Sequence, residues 1–288
     1  MYAEFDVEAP GRLAAALALL ARADGAAVVP LAGGTNLIVD LRARRCAADR
    51  LVSLGRIDSL RGIRVADGRV AIGGRTTVSD LLHAAEIARH GPALVDAACV
   101  FAGQMVRNAA TVAGNIACGS PAADLVPPLL ALDADVVLTS AAGSRTVPLA
   151  TYYTGYKTDL RRADELISEI SWPTPAPRSA GRFYKLARRK GDAITVTGVA
   201  VTLTVANGVC ATARIALGAV SPVAMRARGA ETLIEGKALT PALIDEAGRL
   251  AAGECRPIDD IRASAGYRRH TVHMLTRRLI SEAWGRLA

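Results

Sequence analysis

The chain has 288 residues, a formal net charge of +8 and 51% hydrophobic residues. Such length and apolar content suit two or three small domains with real cores, and exclude a disordered chain. The basic residues are scattered and aromatics are only 4%, too few for a stacking platform, so no nucleic-acid partner is expected.

The start "MYAEFDVEAP" is acidic where a signal peptide needs a basic region, so the expected location is the cytoplasm. Residues 10–22 read as a helix with Leu13, Leu17 and Leu20 on one face. Its apolar run "LAAALALLA" (13–21) is too short for a membrane span. "AAVVPL" (26–31) and "RLVSL" (50–54) read as short buried strands, which makes 1–56 a small α/β unit. The pattern then changes. "GIRVADGRVAIGG" (62–74) is a hairpin about Ala66-Asp67-Gly68. "TTVSDLLHAAEIARHG" (76–91) is a capped helix stopped by Gly91, and 91–103 reads as another. "ADVVLTSAAGSRTVPL" (134–149) is a second hairpin turning at Ala142-Gly143, and "ELISEISWP" (165–173) alternates as a strand. Residues 57–176 are therefore expected to form an antiparallel sheet with helices.

"PTPAPRSAG" (173–181) is the linker candidate. Beyond it, 177–288 reads as an α+β domain of three antiparallel strands, with a turn at Asn207-Gly208, followed by three helices from about 226. Cysteines at 46, 99, 118, 210 and 255 form no close cluster, which argues against an iron–sulfur or structural zinc site in this chain. They read as reduced thiols, mostly filling cores. His270 and His273 share a predicted helical face, but no further ligand completes a metal site, and a solvated or interface face is expected.

Two segments carry a common chemistry: Ala32-Gly33-Gly34-Thr35-Asn36, inside "PLAGGTNLIVD", and Thr111-Val112-Ala113-Gly114-Asn115. Small residues beside a hydroxyl and an amide let successive backbone N–H groups converge on an anion. Either segment alone also fits an ordinary tight turn. Neither is a Walker A loop or a G-x-G-x-x-G fingerprint. Together they could grip a diphosphate from two sides.

The chain resembles the FAD-binding medium subunit of the xanthine dehydrogenase / carbon monoxide dehydrogenase family of molybdenum hydroxylases. The pieces that carry the resemblance are "LAGGTNLI" (31–38), "FAGQMVRNAATVAGNIACGSPAADLVPPLLALDADV" (101–136), "DELISEISWP" (164–173), "FYKLARRKGDAITVTGVAV" (183–201) and "ASAGYRRHTVHMLTRRL" (263–279), in family order along nearly the whole chain. The resemblance implies an α+β fold: a two-part FAD-binding domain of the vanillyl-alcohol-oxidase-like (PCMH-type) class, then an α+β C-terminal domain. It implies FAD in this chain, a molybdenum cofactor in a large partner subunit and [2Fe–2S] clusters in a small one. The expected assembly is a dimer of heterotrimers that hands electrons to an external acceptor. A flavin-free scaffold subunit and a free-standing FAD oxidase are the rival readings.

By the same resemblance, Leu31, Ala32, Gly33, Gly34, Thr35, Asn36, Leu37 and Ile38 form the first phosphate-side loop, and Thr111, Val112, Ala113, Gly114 and Asn115 the second. Phe101 packs near the dinucleotide or serves as plain core. Asp124 contacts sugar hydroxyls, or else caps the helix that follows. Ile167 meets the flavin through backbone or apolar surface. Lys185 places positive charge at the flavin, and Asp192 and Ile194 lie close to its ring. The resemblance supplies no catalytic residue here and no metal ligand. Ala113 stands where the family usually has glycine, and a negative φ is expected there.

Overall fold

The computed structural model describes residues 4–22 and 25–287. Among the described residues three larger sheets follow one another along the chain, and a two-stranded hairpin, Tyr153–Gly155 with Thr158–Asp159, stands beside the second. The first is parallel. Strand Arg50–Ser53 lies between Asp6–Glu8 and Val28–Leu31, and the helices Leu13–Leu20 and Leu37–Arg42 are the two crossovers. Strand alternation splits its core into two faces. Val52 joins Ala16, Leu17 and Leu20 on one side, while Leu51 joins Leu41 and Ala48 on the other.

The second sheet has five antiparallel strands, in the order Ile63–Ala66, Arg69–Gly73, Leu166–Pro173, Asp135–Ser140, Gly143–Pro148. Its first hairpin turns where expected, because Asp67 (φ 51°) and Gly68 (φ 71°) take the left-handed pair of a two-residue turn. The helix expected over 76–91 is two helices, Val78–His83 and Ala85–His90. The chain turns extended at Ala84, where ψ is 116°. Thr77 and Asp80 close a capping box at the start of the first. The helices Pro92–Cys99, Gln104–Ala109, Val112–Ala117 and Val126–Ala131 complete this layer, and buried Trp172, Tyr152 and Leu94 lie in its core.

The third sheet runs Ser179–Ala187, Thr195–Ala206, Val209–Gly218, Met225–Arg226. Three strands were expected. The fourth is a two-residue edge that pairs Met225 with Leu217 and Arg226 with Ala216. Three helices follow, Arg228–Ile234, Pro241–Glu254 and Ala265–Gly285, as expected. Thr240 and Ser264 cap the latter two through side-chain bonds to the N–H groups of Leu243 and Tyr267.

This third sheet is covered on both faces. Val199, Val201, Ile215 and Leu217 pack on its own helices, whereas Phe183, Ala200 and Ala216 join the core of the second layer. That double burial explains the near-continuous apolar reading of "AITVTGVAV". It also sets a direction: Lys185 shares the strand face of Phe183, which looks toward the second layer. Polar clasps cross the same seam. Asp133 accepts from Arg214 Nε and Arg226 Nη1, both at 2.5 Å, and buried Arg226 also forks onto Glu231.

The cysteines depart from expectation. Cys210 and Cys255 are buried and Cys118 is half-buried, but Cys46 and Cys99 are exposed. They sit at or near the ends of short surface helices, where core periodicity has stopped. His273 bonds Asp245 at 2.9 Å across two packed helices. Among the described residues no helix is long and apolar enough to cross a membrane.

Candidate functional site

The first glycine turn links strand Val28–Leu31 to helix Leu37–Arg42. Gly34 has a φ of 69°, a left-handed conformation that glycine adopts without steric cost. Gly33 is small for another reason. A Cβ there would lie 2.6 Å from the carbonyl carbon of Ala109 and 3.1 Å from Ala110 Cα. The first turn is thus pressed against the backbone that leads into the second. Sequence reasoning names both glycines for a ligand; the structure adds a packing role for Gly33 at the joint between two layers, which the sequence did not reveal. The N–H groups of Gly33, Gly34, Thr35 and Asn36 find no acceptor among the described residues. Asn36 precedes the helix without capping it through its side chain, and that side chain meets the thiol of Cys118 instead. Leu31, Leu37 and Ile38 anchor the loop in the apolar cluster around Leu41, while Ala32 packs on the one around Leu17.

The second segment is less a turn than a helix start. Thr111 is the N-cap of Val112–Ala117, its hydroxyl accepting from Gly114 N–H at 3.0 Å. Its β-bridge to Thr77 fixes the approach, with Val112 N–H donating to Thr76 O and Val78 N–H to Ala110 O. Val112 and Ala113 are buried in the core. Ala113 is helical, not left-handed, as expected for alanine. The N–H groups of Thr111 and Ala113 find no acceptor among the described residues, whereas those of Val112, Gly114 and Asn115 are used within the protein. This segment therefore offers fewer free donors than the first. Asn115 Oδ1 accepts from Leu125 N–H at 3.2 Å, which ties the segment to Asp124.

Asp124 does not cap the following helix, whose N-cap is Leu125. It is buried and takes part in a cluster the sequence did not reveal. Lys185 Nζ donates to its Oδ2 at 2.7 Å and to Val100 O at 3.3 Å, while the Thr195 hydroxyl donates to its Oδ1. Burial raises the Asp124 carboxyl above the usual aspartate range, and the Lys185 charge opposes that without cancelling it. Two residues expected in separate roles are one unit across the seam.

The remaining candidates lie on other segments. Phe101 is half-buried against the second core, and its carbonyl, with that of Ala102, accepts from Arg107 Nη1 at 2.9 Å. Ile167 is buried in the strand beside a bulge, its carbonyl against Gly74, which has no room for a Cβ. Asp192 is left-handed at φ 40°, with its carboxylate 3.0 Å from the place a Gly103 Cβ would take. Ile194 is 57% exposed and joins none of the others. A cavity of about 580 Å³ opens beside Lys185, between the stretches 96–107 and 183–193, with Asp96, Arg107, Arg189 and Lys190 in its lining; neither glycine segment lines it.

These residues fit a flavin dinucleotide. Unpaired amides on the first turn suit a diphosphate, and a buried carboxylate with spare lone pairs suits sugar hydroxyls. Comparison with known proteins agrees. Residues 3–175 match the family described as "FAD binding domain in molybdopterin dehydrogenase", and 182–283 match "CO dehydrogenase flavoprotein C-terminal domain". The carbon monoxide dehydrogenase medium chain of Hydrogenophaga pseudoflava is 33% identical over 99% of this chain and 98% of that one. The xanthine dehydrogenase FAD-binding subunit of Escherichia coli O157:H7 is 32% identical over 94% of this chain and 93% of that one. Among solved structures, carbon monoxide dehydrogenase from H. pseudoflava lacking the Mo-pyranopterin moiety superposes with a TM-score of 0.95, covering 100% of both chains at 33% identity.

Proposed function

The chain belongs to the family of FAD-binding subunits of molybdenum hydroxylases, and on that premise we propose that it relays electrons from [2Fe–2S] clusters of a small partner subunit to an external acceptor. Substrate is hydroxylated in a large partner subunit that holds the molybdenum cofactor, and the assembly is a cytoplasmic dimer of heterotrimers. The reading is carried by one observation. The first turn packs directly on the segment that opens the second, with the amides of 33–36 left without acceptors among the described residues.

When bound, FAD supplies the redox chemistry. The chain's own residues place and tune it. The amides of Gly33, Gly34, Thr35, Asn36 and Ala113 hold the diphosphate, with the hydroxyl of Thr35 adding a donor. Leu31, Ala32, Leu37, Ile38 and Val112 keep that cradle rigid. Thr111, Gly114 and Asn115 orient the second segment by their internal bonds. Asp124 uses two of its lone pairs on Lys185 and Thr195 and keeps others for sugar hydroxyls. Lys185 acts on the ring as a paired cation rather than a lone one, so its effect on the reduction potential is moderated by Asp124. Ile167 presents backbone and apolar surface, Phe101 backs the dinucleotide, and Asp192 and Ile194 border the ring from the exposed loop. Acid–base work on the hydroxylated substrate is left to the large subunit.

Purified full-length chain is expected to hold FAD in equal amount, with the flavin absorption band at about 450 nm, and to co-purify with a molybdenum-containing chain. A colourless protein that still binds its partners would make it a scaffold. Sustained oxidase activity of the chain alone would overturn the relay.

A further inference from the structure

We propose that the hairpin of strands Tyr153–Gly155 and Thr158–Asp159 is a third wall of the cofactor site, and that Lys157 at its tip supplies the cation facing the diphosphate. This rests on the FAD reading above.

The hairpin is locked to the helix that the second segment opens. Tyr153 Oη donates to Ile116 O at 2.9 Å, and Arg161 Nη2 donates to Ala117 O at 3.4 Å. Arg161 also forks onto Asp159, through Nε at 3.0 Å and Nη2 at 3.0 Å. These donors meet the last carbonyls of Val112–Ala117, where a positive charge is favourable. The hairpin backbone then rests on Gly119, whose φ is 61° and whose Cβ, if present, would lie 2.8 Å from Lys157 Cα. Lys157 itself is left-handed at φ 55°, a conformation that costs a non-glycine residue about 1 kcal/mol or more. A glycine or asparagine would serve the turn at lower cost, so the turn geometry alone does not call for lysine.

The position of Lys157 supplies a reason. Its backbone lies against Gly119, the residue after Cys118, and the Cys118 thiol meets the side chain of Asn36 on the first turn. The exposed Lys157 side chain has no carboxylate partner among the described residues. The nearby Asp40 is engaged by Arg45 at 2.7 Å. The two glycine segments offer only neutral donors, while a diphosphate carries two negative charges. An unpaired ammonium on a braced hairpin beside Asn36 and Cys118 completes the electrostatics of such a site.

The test compares full-length wild type with Lys157→Met and Lys157→Arg, apo protein being titrated with FAD and separately with riboflavin, which lacks phosphate. Lys157→Met is expected to raise the FAD Kd about tenfold, with Lys157→Arg within about twofold of wild type. Added salt is expected to weaken FAD binding less in Lys157→Met than in wild type. Riboflavin binding and the melting temperature of the apo chain are expected to stay unchanged, since methionine has the same left-handed cost. The proposal is overturned if Lys157→Met binds FAD within twofold of wild type, or if riboflavin weakens as much as FAD. A wild-type chain that binds no FAD at all overturns the parent reading, and this one with it.

Discussion

Substituting Gly33 by alanine isolates the joint between the two glycine segments. The φ of Gly33 lies outside the left-handed region, so alanine meets no backbone penalty there. The added carbon would sit 2.6 Å from Ala109 C and 3.1 Å from Ala110 Cα. Both are main-chain atoms, fixed by the helix that ends at Ala109 and by the bond from Val78 N–H to Ala110 O. Carbon–carbon contact needs about 3.5 Å or more, so one backbone must retreat by roughly 1 Å. Overpacking of this kind costs about 1–3 kcal/mol where side chains can yield, and here the upper end applies. That corresponds to a fall in melting temperature of roughly 6 °C or more, with loss of most bound flavin because the two segments separate. Gly34→Ala is the internal control. Its φ is 69°, but its Cβ would meet only the side chains of Ile38 and Leu31 at 3.2 Å. The expected cost is the left-handed penalty of about 1 kcal/mol. Thermal unfolding and flavin content of both variants decide the matter. Should Gly33→Ala melt within a degree of wild type and keep its flavin, the direct packing of the two segments is wrong.

Three further outcomes are expected. Glu165 is buried and held by Arg145 at 2.8 Å through both carboxylate oxygens and by Arg162 N–H at 2.8 Å, and its carboxyl is brought down from 4.5 to about 2, chiefly by the Arg145 bond. A depressed carboxylate contributes stability above its unfolded pKa and loses it as pH falls through the folded one. Glu165→Gln should therefore cost about 2 kcal/mol near neutral pH, discounted for the partly exposed arginine, with the gap from wild type closing between about pH 4.5 and 2 in denaturant titrations. Glu231→Ala leaves the guanidinium of buried Arg226 with the carbonyl of Leu130 and, as its remaining carboxylate, the shared, half-exposed Asp133, and should cost about 3–5 kcal/mol by denaturant unfolding. Maleimide labelling of the isolated native chain should reach Cys46 and Cys99 first, as read by peptide mass mapping. Cys210, whose thiol is pushed up to about 11 by burial, and Cys255 should stay unlabelled until unfolding.

Turn signals are legible in the sequence, while short helices and long-range pairings are not. Asp67-Gly68 and Asn207-Gly208 announce hairpins because two adjacent left-handed residues are what a tight twisted turn requires, and both pairs adopt them. Two of the three strands and one of the two crossover helices of the parallel sheet are legible in the sequence, whereas the three-residue strand Asp6–Glu8 and the helix Leu37–Arg42 are too short to show a period. The break at Ala84 was not, since "LLHAAEIARH" carries helical residues throughout and only tertiary packing divides it. The second segment read as a turn because Val112–Ala117 is too short to show a period. Asp124 and Lys185 were each named, but their pairing spans 61 residues and no spacing rule links them. Thr195 lay inside a quoted motif, and its bond to Asp124 gives no sequence signal of its own.

That pattern bears on why no short fingerprint marks this site. A P-loop or a Rossmann turn gathers its donors from one strand–turn–helix, so the motif is local. Here the free amides come from the parallel sheet, the opposing segment from the antiparallel layer, and the buried Asp124–Lys185–Thr195 unit joins that layer to the third sheet. Each layer has a core cluster of its own, with Phe183, Ala200 and Ala216 of the third sheet built into that of the second, and only the seams bring these groups together. On the proposed reading, cofactor affinity is a property of the seams, at Gly33 against Ala109 and at Asp124 against Lys185. It follows that substitutions at the seams should release flavin at lower temperature than they unfold any one layer, because opening a joint exposes less apolar surface than melting a core.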